Sequence, residues 1–207
     1  MRSFLLSSLS LLVLAIPAAA QKRAAAAKEP TFPEALEQAK KAFDAQEYGA
    51  AVSALQAAIR LAQKLQRAAV LEALPKPEGF TVADDDVKTD EGNPFATAMM
   101  GATATRHYTK GDDKRIDVEV MANSPMVAMF AVFFTNPAIV KADGGEIVEY
   151  GKHKALLKKS GDNGHELTIV MHDKHIVKAT CSGLTVDELL AVLNQATVDR
   201  LEKPLGK

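Results

Sequence analysis

The heptapeptide Arg115-Ile116-Asp117-Val118-Glu119-Val120-Met121 decides how this chain folds. Ile116, Val118 and Val120 point one way; Arg115, Asp117 and Glu119 point the other. Alternation with period two puts one side of a strand in a core and leaves the other in water, an arrangement that antiparallel sheets allow. A partner strand over Ala102 to Tyr108 precedes it across the turn Lys110-Gly111-Asp112-Asp113, and Phe80 and Val82 are placed to open a further strand. After Gly145 the period of two returns in Glu146 to Tyr150, Lys154 to Lys159, Glu166 to Met171 and Ile176 to Cys181. Gly161-Asp162-Asn163-Gly164 and His172-Asp173-Lys174-His175 carry the residues that turns favour.

Two helices interrupt and close this sheet. Ser124-Pro125 supplies a cap and a first-turn proline for Met126 to Phe134 (MVAMFAVFF), which is apolar on every side and so reads as a helix buried all round. Valine and phenylalanine also favour a strand there, and the segment could equally line an apolar cavity. Thr135-Asn136-Pro137 stops it. Thr185-Val186-Asp187-Glu188 is a capping box, flanked by Leu184 and Leu189 at staple positions, and Val186, Leu189, Leu190, Leu193 and Leu201 make the core stripe of a last helix. The order β-β-α-β-β-β-β-α implies an α+β fold, with helices on one face of an antiparallel sheet.

Upstream of the sheet the period is helical. Pro30, Thr31 and Pro33 mark a helix start, and Leu36, Ala39, Ala42 and Phe43 form one stripe. A short break at Glu47-Tyr48-Gly49 leads into a second helix, in which Val52, Leu55, Ile59, Ala62 and Leu65 recur at three- and four-residue steps until Pro75. The string AKKAFDAQEYGAAVSALQAAI resembles one tetratricopeptide unit over about Ala35 to Ile59. Ala39 holds the small position of the first helix; Tyr48, Ala51, Leu55 and Ala58 hold those of the turn aromatic and the second helix. Gln46 stands where that family usually has glycine, and Ala35 where it opens with a large aromatic. No second copy follows. Arrays of this type need about three units to bury their apolar faces, so the resemblance implies that the hairpin packs on its own domain, on another copy of the chain, or on a partner. Val52, Leu55 and Ile59 are the candidate contact residues.

The first twenty residues, MRSFLLSSLSLLVLAIPAAA, have the build of an export signal: Arg2, an apolar run from Phe4 to Ile16, and Ala18-Ala19-Ala20 before Gln21. The run is shorter than the ~20 residues a spanning helix needs, and no cysteine follows for a lipid anchor. Removing 20 of the 207 residues leaves 187, enough for one ordinary core with an appendage. The resulting organisation is a signal at 1–20, an Ala-rich tether at 21–30, a helical hairpin at 31–74 and an α+β domain at 75–207. The expected destination is the periplasm, with secretion as the alternative, and no stable membrane anchor after cleavage.

With Arg2 gone, 24 basic residues face 26 acidic ones. That balance argues against nucleic acid as the main partner, because affinity there is built on phosphate neutralisation. The chain has one cysteine, Cys181, so no internal disulfide is expected and stability must come from burial.

Candidate chemistry is sparse. If Asp173-Lys174 were a two-residue turn, His172 and His175 would oppose each other about 5 Å apart and could share a metal. His107 reads as a lone surface histidine, and His153 and His165 lie on no common face. Met126, Met129, Phe130 and Phe133 are the candidates for lining an apolar ligand cavity. Met99, Met100, Met121 and Met171 add thioethers that would suit a soft cation such as copper(I). Asp84, Asp85, Asp86, Asp90 and Glu91 do not match calcium-loop spacing. No nucleophile elbow, zinc-protease helix, phosphate loop or dinucleotide fingerprint occurs, and no cofactor is implied. The reading that emerges is an exported, non-catalytic binding or assembly protein, acting on a protein partner in the cell envelope or on itself. An apolar-ligand carrier and an enzyme of unrecognised type are the alternatives.

Overall fold

A computed structural model describes residues 29–85 and 102–206. The signal, the tether, Asp86, Asp90, Glu91, Met99 and Met100 lie outside the described residues.

Thr31 caps α1 (Phe32–Asp44), its backbone N–H donating to the Glu34 carboxylate at 2.7 Å. The helix ends at Gln46, which takes the left-handed conformation (φ 63°) that glycine usually supplies. α2 (Tyr48–Ala73) then runs back along α1 and stops before Pro75. The seam between the helices is built from alanines: Ala35 and Ala39 on α1, Ala51 and Ala58 on α2, all buried.

Seven strands form one antiparallel sheet: β1 (Thr81–Asp84), β2 (Ala102–Lys110), β3 (Lys114–Ala122), β4 (Gly145–Tyr150), β5 (His153–Lys159), β6 (Gly164–Met171) and β7 (His175–Ser182). Their order is β1-β2-β3-β7-β6-β5-β4. Two meanders, β1 to β3 and β4 to β7, thus join where β7 pairs with β3, Val118 opposite Ala179. The heptapeptide lies at this central join, and Ile116, Val118 and Val120 are all buried.

Between the meanders lie α3 (Val127–Thr135) and α4 (Pro137–Ala142); after β7 come α5 (Val186–Val192) and α6 (Gln195–Leu205). The main core joins Val70 and Leu74 of α2, Tyr108, Ile116, Val118, Leu167, Ile169, Met171, Val177 and Cys181 of the sheet, and Leu189, Val192, Val198 and Leu201 of α5 and α6. The α+β class and the N-terminal hairpin are as expected.

Three details differ from the sequence reading. The last helix is two helices, because Asn194 ends one and caps the next, its Oδ1 accepting from the Thr197 N–H at 3.0 Å. α3 is not buried all round: Val127 is buried and Phe130 half-buried, but Met129 is 63% exposed and Met126 also faces solvent. Its buried side meets Met121 and Ile176, neighbours in sequence of core residues and therefore on the opposite face of the sheet. That excursion partly covers the second face, while the hairpin end, α5 and α6 cover the first. Finally, Met171 pairs with His175, so His172-Asp173-Lys174 is a three-residue loop and the two histidines do not oppose each other; His172 and Asp173 sit at positive φ (52° and 51°).

Candidate functional site

The hairpin and the body meet at a joint of buried polar contacts. Arg106, 3% exposed, grips the Asp84 carboxylate with two bonds, Nε to Oδ1 at 2.6 Å and Nη2 to Oδ2 at 2.9 Å, and its Nη1 donates to the Leu74 carbonyl at 3.0 Å. The guanidinium holds the Asp84 carboxyl below the usual carboxylate range. Beside it the Tyr108 hydroxyl donates to the Pro75 carbonyl at 3.1 Å, and burial pushes the phenol up to about 12. Gln66 donates to the Pro204 carbonyl and Arg200 to that of Ala73. All these contacts lie at or beyond Gln66, so only the C-terminal third of α2 is anchored on the body.

The rest of the hairpin extends away from the joint with its large side chains outward. Val52, Leu55 and Ile59 are 53%, 45% and 56% exposed, and Phe32, Leu36, Phe43 and Tyr48 are exposed with them. In an antiparallel helix pair, the residue one position past the contact stripe falls on the same flank of both helices. Leu36 and Phe43 each follow a seam residue on α1 as Val52, Leu55 and Ile59 do on α2, so the two rows share one flank. At the tip, the rings of Phe43 and Tyr48 meet edge to face, 5.8 Å between centroids. The alanine seam explains the exposure: small residues let the helices approach closely, which leaves the large ones no room between them.

A second constellation lies at the far end of the sheet. His153 on β5, His172 in the β6–β7 loop and His175 on β7 stand edge to face in a row, with centroids 5.5 Å and 6.4 Å apart. Glu202 of α6 reaches them, Oε1 lying 3.2 Å from His153 Nε2, 3.9 Å from His172 Nε2 and 2.5 Å from Lys152 Nζ. Lys152 and then His153 draw its carboxyl below the usual value. Gly151 (φ 61°) permits this approach, since a Cβ there would collide with the Gln195 side chain. His175 is 1% exposed; its Nδ1 accepts from the Asn123 N–H at 3.1 Å, while its Nε2 and His172 Nδ1 are buried without a protein hydrogen-bond partner. Burial, then the neighbouring charges of His172 and Lys174, push the His175 pKa down, against an opposing pull from the Gly206 backbone. Among the described residues no three His, Cys, Asp or Glu side chains converge in a metal-holding arrangement.

His107 is not solitary. Its Nδ1 lies 2.5 Å from Asp117 Oδ1 and its Nε2 2.8 Å from Asp85 Oδ1, with Arg115 alongside. Asp117 above all, together with Asp85, raises its pKa.

The thioethers are scattered. Met171 is in the main core, Met121 under α3, and Met126 and Met129 face outward. Phe130 and Phe133 are half-buried on the same short helix, 6.2 Å between centroids. Cys181 is buried and free, with its thiol pushed up by burial.

The chain matches no known family, no curated protein and no solved structure. Among the described residues no helix is long and apolar enough to cross a membrane.

Proposed function

We propose that this chain is an exported, non-catalytic binding and assembly protein whose helical hairpin is its contact surface. One observation carries the reading. Val52, Leu55 and Ile59 stand open on the flank where Phe43 and Tyr48 also sit, on a hairpin anchored to the body only at its base. Apolar patches of this kind mark interaction sites, and the lone tetratricopeptide-like pattern is consistent with a face completed from outside. The N-terminal twenty residues support delivery across a membrane. The carrier reading draws less support, because Met126 and Met129 turn outward instead of enclosing a space with Phe130 and Phe133. An enzyme would have to use the histidine row, whose inner ring is almost wholly buried.

The test is site-specific photocrosslinking in the native host, with the probe at Leu55, at Ile59 and, as a control on the body, at Asp162. A discrete adduct from the first two positions and none from Asp162 is the expected result. Equal labelling at all three positions, or none anywhere, would sink the contact-surface reading. Fractionation followed by N-terminal sequencing should find the chain in the envelope, beginning at Gln21; an intact Met1 on cytoplasmic protein would remove the export claim.

A further inference from the structure

We infer that the occupant of the open hairpin face is a second copy of this chain, two hairpins packing face to face and tip to base as a four-helix bundle. The inference rests on the contact-surface reading and names the partner.

Shape is the first argument. The face has two rows, Phe32, Leu36 and Phe43 on α1 and Tyr48, Val52, Leu55 and Ile59 on α2, each residue between 37% and 62% exposed. A single helix from a partner covers one row. Two rows at bundle spacing call for a two-helix surface, and this chain carries one. On α2 the steps run four, three and four (48, 52, 55, 59), the spacing of a bundle seam.

Area is the second. A whole aromatic side chain offers roughly 150–250 Å², so these seven leave on the order of 600 Å² of apolar surface open. A standard interface buries about 800 Å² per partner. The polar rim, with Gln56, Gln63 and Lys40, supplies the remainder.

Charge chooses the orientation. A two-fold axis across the helices reverses one hairpin against the other and lays like helix on like helix. Centred between Val52 and Leu55, it brings Glu47 to the level of Arg60 of the second copy. Centred between Glu37 and Lys40, it sets those two opposite each other. Opposite signs meet at both places. An axis along the helices would instead crowd Asp44 of one tip against Glu47 of the other. The reversed pairing is isologous and closed, as a homodimer requires.

The experiment uses the full-length chain, processed by the cell and purified, examined by light scattering on a sizing column and by native mass spectrometry at micromolar concentration. A dimer is expected. Leu55→Glu should weaken it at least about 30-fold with an unchanged circular dichroism spectrum. Arg60→Glu should weaken it, and adding Glu47→Arg to that variant should restore it, a rescue that a folding defect would not give. Orientation is read by oxidation: Tyr48→Cys chains mixed with Ile59→Cys chains should crosslink, and Tyr48→Cys alone should not. A monomer at sub-millimolar concentration overturns the inference. If that monomer still gives a discrete Leu55 adduct to a different protein in cells, self-association fails while the contact-surface reading stands; with no adduct at all, both fail.

Discussion

At the scale of single residues, two histidines are tuned in opposite directions. His107 lies between Asp117 and Asp85, which favour its charged form; His175 is buried and has His172 and Lys174 for neighbours, which disfavour it. A nuclear magnetic resonance titration should place His107 above the ordinary value of about 6.5 and His175 below it. Their linkage to folding has opposite signs. The His107 contribution is complete below pH 6.5 and is lost as pH rises through its elevated folded pKa. The His175 contribution is complete above pH 6.5 and is lost as pH falls toward its depressed one. Asp117→Asn should bring His107 down and leave His175 where it is; movement of both would mean the two sites are coupled. Neither setting was legible in the sequence. Asp117 is ten positions from His107 and meets it only through the β2–β3 register, and Glu202 reaches His153 only because α6 folds back across the sheet.

At the scale of elements, local signals were legible and contacts between elements were not. The capping box at Thr185 and Glu188, the proline-flanked start of α1 and the alternation in β3 are written in neighbouring residues, and each element formed. The split at Asn194 was also written locally, as an asparagine three residues before Thr197, but leucines on both sides let one continuous stripe be drawn through it. α3 misled for a different reason: its composition is apolar all round, yet a nine-residue helix on the second face has only one side to bury. The hairpin seam was hidden because alanines make it while larger residues draw the eye. Overpacking a close seam costs about 1–3 kcal/mol, so Ala58→Leu should lower stability by that amount in urea unfolding, whereas Ile59→Ala, one residue further round, should cost under ~0.5 kcal/mol in the monomer. Equal losses would contradict the seam. At the joint, Asp84→Asn leaves the buried Arg106 guanidinium without its counter-charge and should cost roughly 2–4 kcal/mol, less than a fully buried pair because Asp84 is partly exposed.

At the scale of the whole molecule, the sheet, the hairpin and their order followed from periodicity, because each face of the sheet repeats every second residue. What covers the hairpin's outer face did not follow, because a core stripe and a docking stripe obey the same period and only three-dimensional packing separates them. Stability across pH is also a property of the whole, since the carboxylates that matter tie distant segments together. Glu188 at the start of α5 holds Lys114 of β3 at 2.8 Å and is drawn down to about 2; Asp84 and Glu202 are lowered by Arg106 and by Lys152. A carboxyl with a depressed folded pKa contributes stability above its unfolded value, about 4 for these residues, and loses it as pH falls through the folded one. Thermal unfolding should therefore show two losses on acidification: a first step between pH 6.5 and 5 as His175 resists protonation, opposed in part by His107, and a steeper one below pH 4 as the three carboxylates are titrated. Lys114→Met should flatten the second step and leave the first in place. If that variant keeps the full acid transition, the β3–α5 ion pair contributes nothing to it, and acid sensitivity must come from the joint and the histidine row alone.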